Sequence, residues 1–203
     1  AKEYNVEAQI VIPVPDSGVP SGLGFSESSG ISFELGITRN HYVGRTFIEP
    51  TQTIRQLGIK LKHNANPINI KNKKIVLIDD SIVRGTTAVK IVQMIRDAGA
   101  SEVHMGISSP PILFPDFYGI DTPSPDELIA ANNSIEEMRK TINLDTLYFL
   151  SIEGLYQAMG HKKRNDENPQ YTDHCFTGDY PTNLKDRDGG SLSKQLSFLH
   201  EKL

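Results

Sequence analysis

Short apolar runs alternate along the chain with polar, glycine-bearing stretches, and this pattern predicts an α/β protein. Three of the runs span residues 8–14, 74–78 and 102–108. Their length and their mostly apolar residues are typical of buried parallel strands. Between the last two, apolar residues recur at helical spacing at Ala88, Ile91, Val92 and Ile95. Gly99 then ends the predicted helix. Strand, helix and strand in this order predict a right-handed βαβ unit.

Weaker patterns complete a fold of one twisted, mostly parallel sheet flanked by helices. Further strands are predicted at residues 33–37, 58–62 and 146–150, and further helices at 19–28, 125–141 and 152–159. Ligands of such sheets bind beyond the carboxyl ends of the strands. Residues 16–18 and 79–87 each follow a predicted strand, so we expect them to form one site.

Composition narrows the class of protein. With 203 residues and 37% hydrophobic residues, the chain can form one folded domain. It has no apolar run of the roughly 20 residues that a membrane span needs and no signal-peptide layout. A single cysteine excludes an internal disulfide framework and favours a reducing, cytoplasmic location. A net charge of -4 argues against a nucleic-acid surface.

The most informative stretch is residues 74–87, KIVLIDDSIVRGTT. Its apolar strand leads into Asp79 and Asp80, and a turn with Gly85 then enters a helix through two threonines. Backbone N–H groups, hydroxyls and the positive end of a helix together form a phosphate cradle. Carboxylates repel phosphate, so the acids would face sugar hydroxyls, a hydrated Mg²⁺ ion or both. The combination predicts a phosphorylated sugar as ligand.

Other interpretations of this stretch fit less well. A carboxylate after an apolar strand also occurs in ATP-binding proteins, but the chain has no G-x-x-x-x-G-K-[ST] loop. A dinucleotide fingerprint fails because Glu27 stands at the third glycine position after Gly22 and Gly24. Capping and turn formation alone would not require the Ser, Arg, Gly and Thr residues that follow the two acids.

Two further segments differ in composition from the predicted strands and helices. Residues 38–50 are long for a connection and mix cations with Tyr42 and Gly44, which is a composition suited to a mobile lid. From His161 the chain becomes polar. We expect a core over residues 1–160 and a partly irregular extension over residues 161–203 that packs on it.

Several of these segments resemble the amidophosphoribosyltransferases, also called glutamine phosphoribosylpyrophosphate amidotransferases. The matching segments are residues 11–18, 39–47, 75–87, 118–121, 127–130 and 175–181. The central one is similar to the motif shared by type I phosphoribosyltransferases. The resemblance implies that fold and the first committed step of purine synthesis, in which ammonia displaces pyrophosphate from phosphoribosylpyrophosphate (PRPP) to give 5-phosphoribosylamine.

The resemblance also implies roles for individual residues. Asp79 and Asp80 would hold the ribose hydroxyls and Mg²⁺, with Ser17 near the same ion. The 5-phosphate would contact Ser81, Ile82, Val83, Arg84, Gly85, Thr86 and Thr87. The pyrophosphate loop would comprise Asp16, Ser17 and Gly18. The lid would supply Arg39, Asn40, Tyr42, Gly44 and Arg45, of which Arg45 would stabilise the transition state and Tyr42 would exclude water.

The sequence departs from the family in two respects. It begins Ala1-Lys2-Glu3-Tyr4, which resembles the tail of a helix inside the full enzyme, so we expect a fragment without the glutaminase domain. Some members hold a 4Fe-4S cluster through four cysteines. Here Thr172 and Asp116 stand where two of them would be, and Cys175 alone remains, so no cluster is expected. His174 lies beside Cys175, but no further ligand follows at zinc-site spacing.

Two alternative functions stay open at this point. One is a PRPP-binding regulatory protein without catalysis, and the other is a salvage phosphoribosyltransferase that uses a purine base. The expected partners are PRPP, ammonia from glutamine through the glutaminase domain, and purine nucleotides as feedback inhibitors. The full enzyme would be a homo-oligomer, and neither nucleic acid nor a membrane is an expected partner.

Overall fold

The central sheet is parallel throughout. The structure is a computed structural model that describes residues 1–40, 63–120 and 122–184. The central strands are β1 (Ile10–Pro13), β2 (Ser32–Phe33), β5 (Lys74–Asp79), β6 (Glu102–Ile107) and β7 (Thr146–Phe149). They lie in the order β2-β1-β5-β6-β7. A separate antiparallel pair consists of β3 (Ile37–Arg39) and β4 (His63–Ala65). The predicted mostly parallel sheet is confirmed.

Helices cover both faces of this sheet. They are α1 (Val19–Ser29), α2 (Pro67–Ile70), α3 (Thr86–Asp97), α4 (Ile129–Asn132), α5 (Ile135–Ile142), α6 (Ile152–Ala158) and α7 (His174–Thr177), with a 3-10 turn at Pro125–Glu127. In β5, Ile75 and Leu77 pack in the cluster that contains the apolar stripe of α3, whereas Val76 and Ile78 pack with Phe25 of α1. Burial on both faces explains why the strand is continuously apolar.

Two predicted elements are wrong in extent. The strand predicted at residues 33–37 is divided between β2 and β3, because the chain leaves the central sheet at Gly36, where an added Cβ would lie 2.3 Å from Ile12 Cδ1. The helix predicted at residues 125–141 is three separate pieces. Leu128 and Asn133 are extended, and Ser134 forms a capping box with Glu137 that starts α5 anew. The strand predicted at residues 58–62 lies outside the described residues.

The described part of the polar C-terminal region is held by charges rather than by an apolar core. Arg164 pairs with Asp173 at 2.7 Å and with Asp179 at 2.6 Å. Tyr156 of α6 donates its hydroxyl hydrogen to Asp173 across 2.8 Å. These bonds tie residues 164–179 to the end of the core. Among the described helices, none combines the length and apolar character that crossing a membrane requires.

Candidate functional site

A cavity of about 380 Å³ lies beyond the carboxyl ends of β1 and β5. These strands are neighbours in register, with Pro13 opposite Ile78, so the loops that follow them lie side by side. The cavity is lined by Val14, Pro15, Asp16, Ser17, Arg39, His63, Asp79, Asp80, Ser81, Ile82, Val83, Arg84, Gly85, Thr86, Thr87 and Ala88. Its position is the one that parallel α/β sheets use for ligands.

The loop after β1 packs directly on the end of β5. Val14 N–H donates to the Ile78 carbonyl across 2.8 Å, and Gly18 N–H donates to the Val14 carbonyl across 2.9 Å. A Cβ atom at Gly18 would lie only 2.3 Å from the Ile78 carbonyl oxygen. Glycine is therefore required at Gly18 by close approach, and it fixes where Asp16 and Ser17 stand relative to Asp79. The peptide bond between Pro15 and Asp16 is cis.

Asp79 is a buried acid at the floor of the cavity, with 8% of its surface exposed. Its Oδ1 accepts hydrogen bonds from the Asp80 backbone N–H at 2.9 Å and from the Ser17 hydroxyl at 3.5 Å. Burial, reinforced by the neighbouring Asp80 side chain, raises the pKa of Asp79 to about 8. Below pH 8 the carboxyl group is therefore mostly neutral, and a bound cation would favour the charged form.

The turn from Ser81 to Thr87 ends at the first residues of α3. Gly85 adopts the left-handed conformation with φ of 76°, which glycine reaches without steric cost. No side chain caps α3, and Thr86 and Thr87 are exposed at the cavity wall. The free N–H groups of the first turn and the two hydroxyls can donate hydrogen bonds to an anion, and the helix dipole adds positive potential.

Residues 127–129 support this turn from behind. Glu127 accepts a hydrogen bond from Arg84 Nε at 2.7 Å, and Ile129 N–H donates to the Val83 carbonyl at 3.0 Å. The Ile129 side chain also lies against Gly85, where an added Cβ would be 2.6 Å from its Cδ1. Sequence reasoning assigned these residues no role, because the only signal for them was their place in a segment of family resemblance.

The small antiparallel pair forms one rim of the cavity. Arg39 at the end of β3 lies opposite His63 at the start of β4, and both line the cavity. Arg39 Nη1 pairs with Asp16 Oδ2 at 2.6 Å, which connects the small sheet to the loop after β1. Within the described residues, the buried Nε of Arg39 has no hydrogen-bond partner, so the guanidinium can still donate to a ligand.

The structure brings together most of the residues that the sequence singled out. Of the predicted set, Gly18 lies beneath the cavity wall rather than in it, and Asn40 follows β3 next to Arg39. Tyr42, Gly44 and Arg45 lie outside the described residues. His63 was not predicted, because its place at the rim depends on the pairing of β4 with β3, for which neighbouring residues give no periodic signal.

Comparisons with known proteins agree on one family. No family model matches the chain. The amidophosphoribosyltransferase of Rhizobium etli is 61% identical over 200 residues, which cover 98% of this chain and 40% of that protein. The amidophosphoribosyltransferase of Bacillus subtilis is 51% identical over 184 residues, covering 91% of this chain and 38% of that protein.

A solved structure of the Bacillus subtilis glutamine PRPP amidotransferase, complexed with ADP and GMP, superposes with a TM-score of 0.79 at 51% identity. The match covers 90% of this chain and 40% of that one. The chain thus spans about two fifths of the length of the curated relatives that it matches.

Proposed function

The chain corresponds to the C-terminal phosphoribosyltransferase portion of the amidophosphoribosyltransferases, and from this premise we propose that it binds PRPP and transfers its phosphoribosyl group to ammonia. The bond from the anomeric carbon to pyrophosphate breaks, and a bond to nitrogen forms. The products are 5-phosphoribosylamine, pyrophosphate and a proton. In the whole protein, glutamine would supply the ammonia through a glutaminase domain.

The observation that carries the proposal is the convergence of two unlike surfaces on one cavity. Thr86 and Thr87, with the free N–H groups of α3, offer donors for a phosphate. Asp79 at the end of β5 and Asp80 directly after it offer acceptors for hydroxyl groups. A sugar phosphate carries both kinds of group, so it can satisfy both surfaces in one pose.

In this pose the 5-phosphate occupies the turn from Ser81 to Thr87, and the ribose hydroxyls face the two acids. The pyrophosphate then lies toward the loop of Asp16 to Gly18. There Arg39 stands 2.6 Å from Asp16 and keeps an unpartnered Nε within the described residues. A cation at this position stabilises charge that develops on the leaving pyrophosphate.

The donor set also fits Mg²⁺. Asp79, Asp80 and the Ser17 hydroxyl are hard oxygen ligands, and Ser17 Oγ lies 3.5 Å from Asp79 Oδ1. A buried carboxyl group whose pKa is raised toward neutrality is one that a cation would return to its ionised form. When bound, Mg²⁺ would neutralise charge on the pyrophosphate as it leaves.

The chain's own residues bind and orient PRPP and shield it from water, and none needs to act as a nucleophile. As the glycosidic bond breaks, the ribose gains oxocarbenium character, much as in glycoside cleavage. Asp80, together with Asp79 once a bound cation has ionised it, favours that positive charge. Water competes with ammonia for the same carbon, so we further propose that Arg45 and Tyr42, outside the described residues, close over PRPP and exclude water.

Regulation and assembly follow from the same premise. The relative from Bacillus subtilis was solved with ADP and GMP. We infer that purine nucleotides bind this chain as inhibitors, with their phosphates in the turn that would hold the 5-phosphate. Homo-oligomer formation, a cytoplasmic location and an extension over residues 161–203 stay predictions.

Pyrophosphate release from PRPP with Mg²⁺, measured with and without ammonium at a pH above about 8, tests the function. Ammonia-dependent release is the expected result. PRPP binding without release would point to a regulatory protein, and release with purine bases instead of ammonia would point to a salvage enzyme.

The double variant Asp79→Asn, Asp80→Asn tests the site itself. It should lose Mg²⁺-dependent PRPP binding, measured by calorimetry, because both acceptors for the ribose and the cation become neutral amides. The matched control is Asp97→Asn at the exposed end of α3, which should bind PRPP normally. Unchanged affinity in the double variant would show that the acids do not hold PRPP.

A further inference from the structure

A second cluster of polar side chains lies among the residues that hold the C-terminal region to the core. His174 of α7 places its Nε2 atom 2.8 Å from Asp116 Oδ2. The Sγ atom of Cys175 lies 3.5 Å from the same nitrogen. One ligand atom from each of these residues lies within 4.8 Å of the other two. Asp116 is 58 residues from His174, so the spacing of neighbouring residues does not predict the cluster, although the family resemblance already places Asp116 and Cys175 at positions of cluster cysteines.

Backbone hydrogen bonds hold the Asp116 carboxylate and the segments that carry the three side chains. Asp116 Oδ1 accepts the N–H groups of Tyr118 and Ile120, each at 2.8 Å, so Oδ2 is the oxygen that faces His174. The Cys175 carbonyl accepts the N–H groups of Leu113 and Phe114, at 2.9 and 3.0 Å. These bonds hold the segment of residues 113–120 against α7 and leave the three side chains little freedom to move apart.

The cluster is enclosed and incompletely satisfied. The side chains of His174 and Asp116 are 4% and 3% exposed, and the rings of Tyr118 and Tyr180 lie 5.0 and 4.9 Å from the imidazole. Nδ1 of His174 is buried and has no hydrogen-bond partner within the described parts of the chain. A cation bound through Nε2 would not reach Nδ1, so this unpartnered nitrogen calls for a water molecule and is not itself a ligand.

We propose that Asp116 Oδ2, His174 Nε2 and Cys175 Sγ bind one divalent cation of the zinc type, with a fourth position open to water. Ligand bonds of about 2.0–2.3 Å in a tetrahedron separate the ligand atoms by roughly 3.3–3.8 Å. The thiol-to-imidazole distance already matches, and the carboxylate-to-imidazole distance needs to open by about half an ångström. Binding requires both Nε2 and Sγ to be free of protons: the neutral imidazole carries its proton on Nδ1, and the thiol proton is released to solvent.

Ligand chemistry separates this cluster from the PRPP cavity. A thiolate and an imidazole select zinc-like ions over Mg²⁺, whereas Ser17, Asp79 and Asp80 offer oxygen atoms alone. A cation held by Asp116 on one side and by His174 and Cys175 on the other would cross-link residues 113–120 to α7. This link would stabilise the fold, and the open fourth position distinguishes the site from closed structural zinc sites. The proposal does not depend on the reaction assigned to the cavity.

Cobalt provides a spectroscopic test on the full 203-residue chain. After treatment with a chelator, the protein is titrated with Co²⁺ and followed by the thiolate-to-cobalt charge-transfer band and the d–d bands of a tetrahedral ion. We expect saturation at one Co²⁺ per chain and displacement by an equivalent of Zn²⁺. Absence of a charge-transfer band at micromolar protein and cobalt would overturn the proposal.

Variants assign the ligands. Cys175→Ser, which is nearly isosteric, should abolish the charge-transfer band, and Asp116→Asn should weaken Co²⁺ binding by at least about tenfold. His161→Gln, a histidine outside the cluster, and Asp79→Asn, Asp80→Asn in the cavity should leave the band unchanged. A band that persists in Cys175→Ser, or that disappears in the cavity variant, would contradict the assignment. Zn²⁺ should raise the midpoint of thermal unfolding of the parent chain but not of Cys175→Ser, so a loss caused by misfolding is recognised independently.

Discussion

Asp79 ends a strand whose other buried residues are apolar, and its carboxyl group is buried with them. A buried acid is stable in its neutral form and costly in its charged form. Such a conflict is typical of binding sites, where a ligand or a cation supplies the compensation that the folded chain lacks.

The pKa of Asp79 leads to a prediction about stability. Because the folded-state pKa is raised to about 8, the unfolded chain releases this proton first as pH increases. Stability contributed by the neutral carboxyl is therefore complete below pH 4 and is lost as pH rises through 8, at up to about 1.4 kcal/mol per pH unit. Asp79→Asn should match the parent chain near pH 4 and be the more stable of the two at pH 8, as measured by urea unfolding without divalent cations. Equal stabilities at pH 8 would show that the acid is not buried as described.

Gly18 supports a prediction about close packing. Gly18→Ala places a Cβ atom against the Ile78 carbonyl, so the loop after β1 must shift and PRPP affinity should fall at least about tenfold. Gly24→Ala is the matched control. Nothing lies within 4 Å of a Cβ there, and alanine in α1 should stabilise the chain by about 0.5–1 kcal/mol without changing affinity. Equal PRPP affinity in both variants would contradict the role assigned to Gly18.

At the scale of elements, the loops that build the site are rigid where they touch the sheet. The loop after β1 is bonded to the end of β5, and the turn before α3 is bonded to residues 127–129. The sequence predicted these loops well, because strand ends and glycines are local signals. It predicted the helix over residues 125–141 wrongly. Near Leu128 the break accompanies a contact from elsewhere in the fold, the hydrogen bond of Ile129 N–H to the Val83 carbonyl, whereas the restart after Asn133 follows from the local capping box of Ser134 and Glu137.

The ion pairs of the C-terminal region give an element-scale prediction. Arg164→Met leaves Asp173, which is 4% exposed, without its cation, and should destabilise the chain by about 3–5 kcal/mol. Lys140→Met is the control, since the pair of Lys140 with Glu136 at 3.6 Å is exposed and screened by solvent, so its loss should leave stability nearly unchanged. Urea unfolding measures both. Adding Asp173→Asn to Arg164→Met should recover part of the loss, and no recovery would assign the loss to packing instead.

At the scale of the molecule, the cavity draws on the central sheet, the small sheet and α3 together, so ligand binding should stabilise the whole fold. PRPP with Mg²⁺ at about one hundred times its dissociation constant should add about 2.7 kcal/mol, which raises the unfolding midpoint by roughly 5–10 °C. Differential scanning fluorimetry measures the shift. The Asp79→Asn, Asp80→Asn variant should show none, and a shift of equal size there would place PRPP at another site.

The whole-molecule view also explains what the sequence could not predict. Parallel strands and the loops at their carboxyl ends follow from local patterns, so Asp16, Ser17 and residues 79–87 were found together. His63 at the rim and Asp116 beside His174 are brought into place by pairings between distant segments. Such pairings are decided by packing over the whole fold, and no window of neighbouring residues contains them.

The pairing of Arg39 with His63 at the rim has a consequence for the length of the connection between β3 and β4. Arg39 and His63 are partners in the antiparallel pair of β3 and β4. The distance between them therefore does not depend on how many residues connect them. The entropy of closing a loop changes only with the logarithm of its length, by about 0.6 kcal/mol for each doubling. Changes in the number of residues between Arg39 and His63 should therefore cost little stability, because the pairing of β3 with β4 holds the two ends in place.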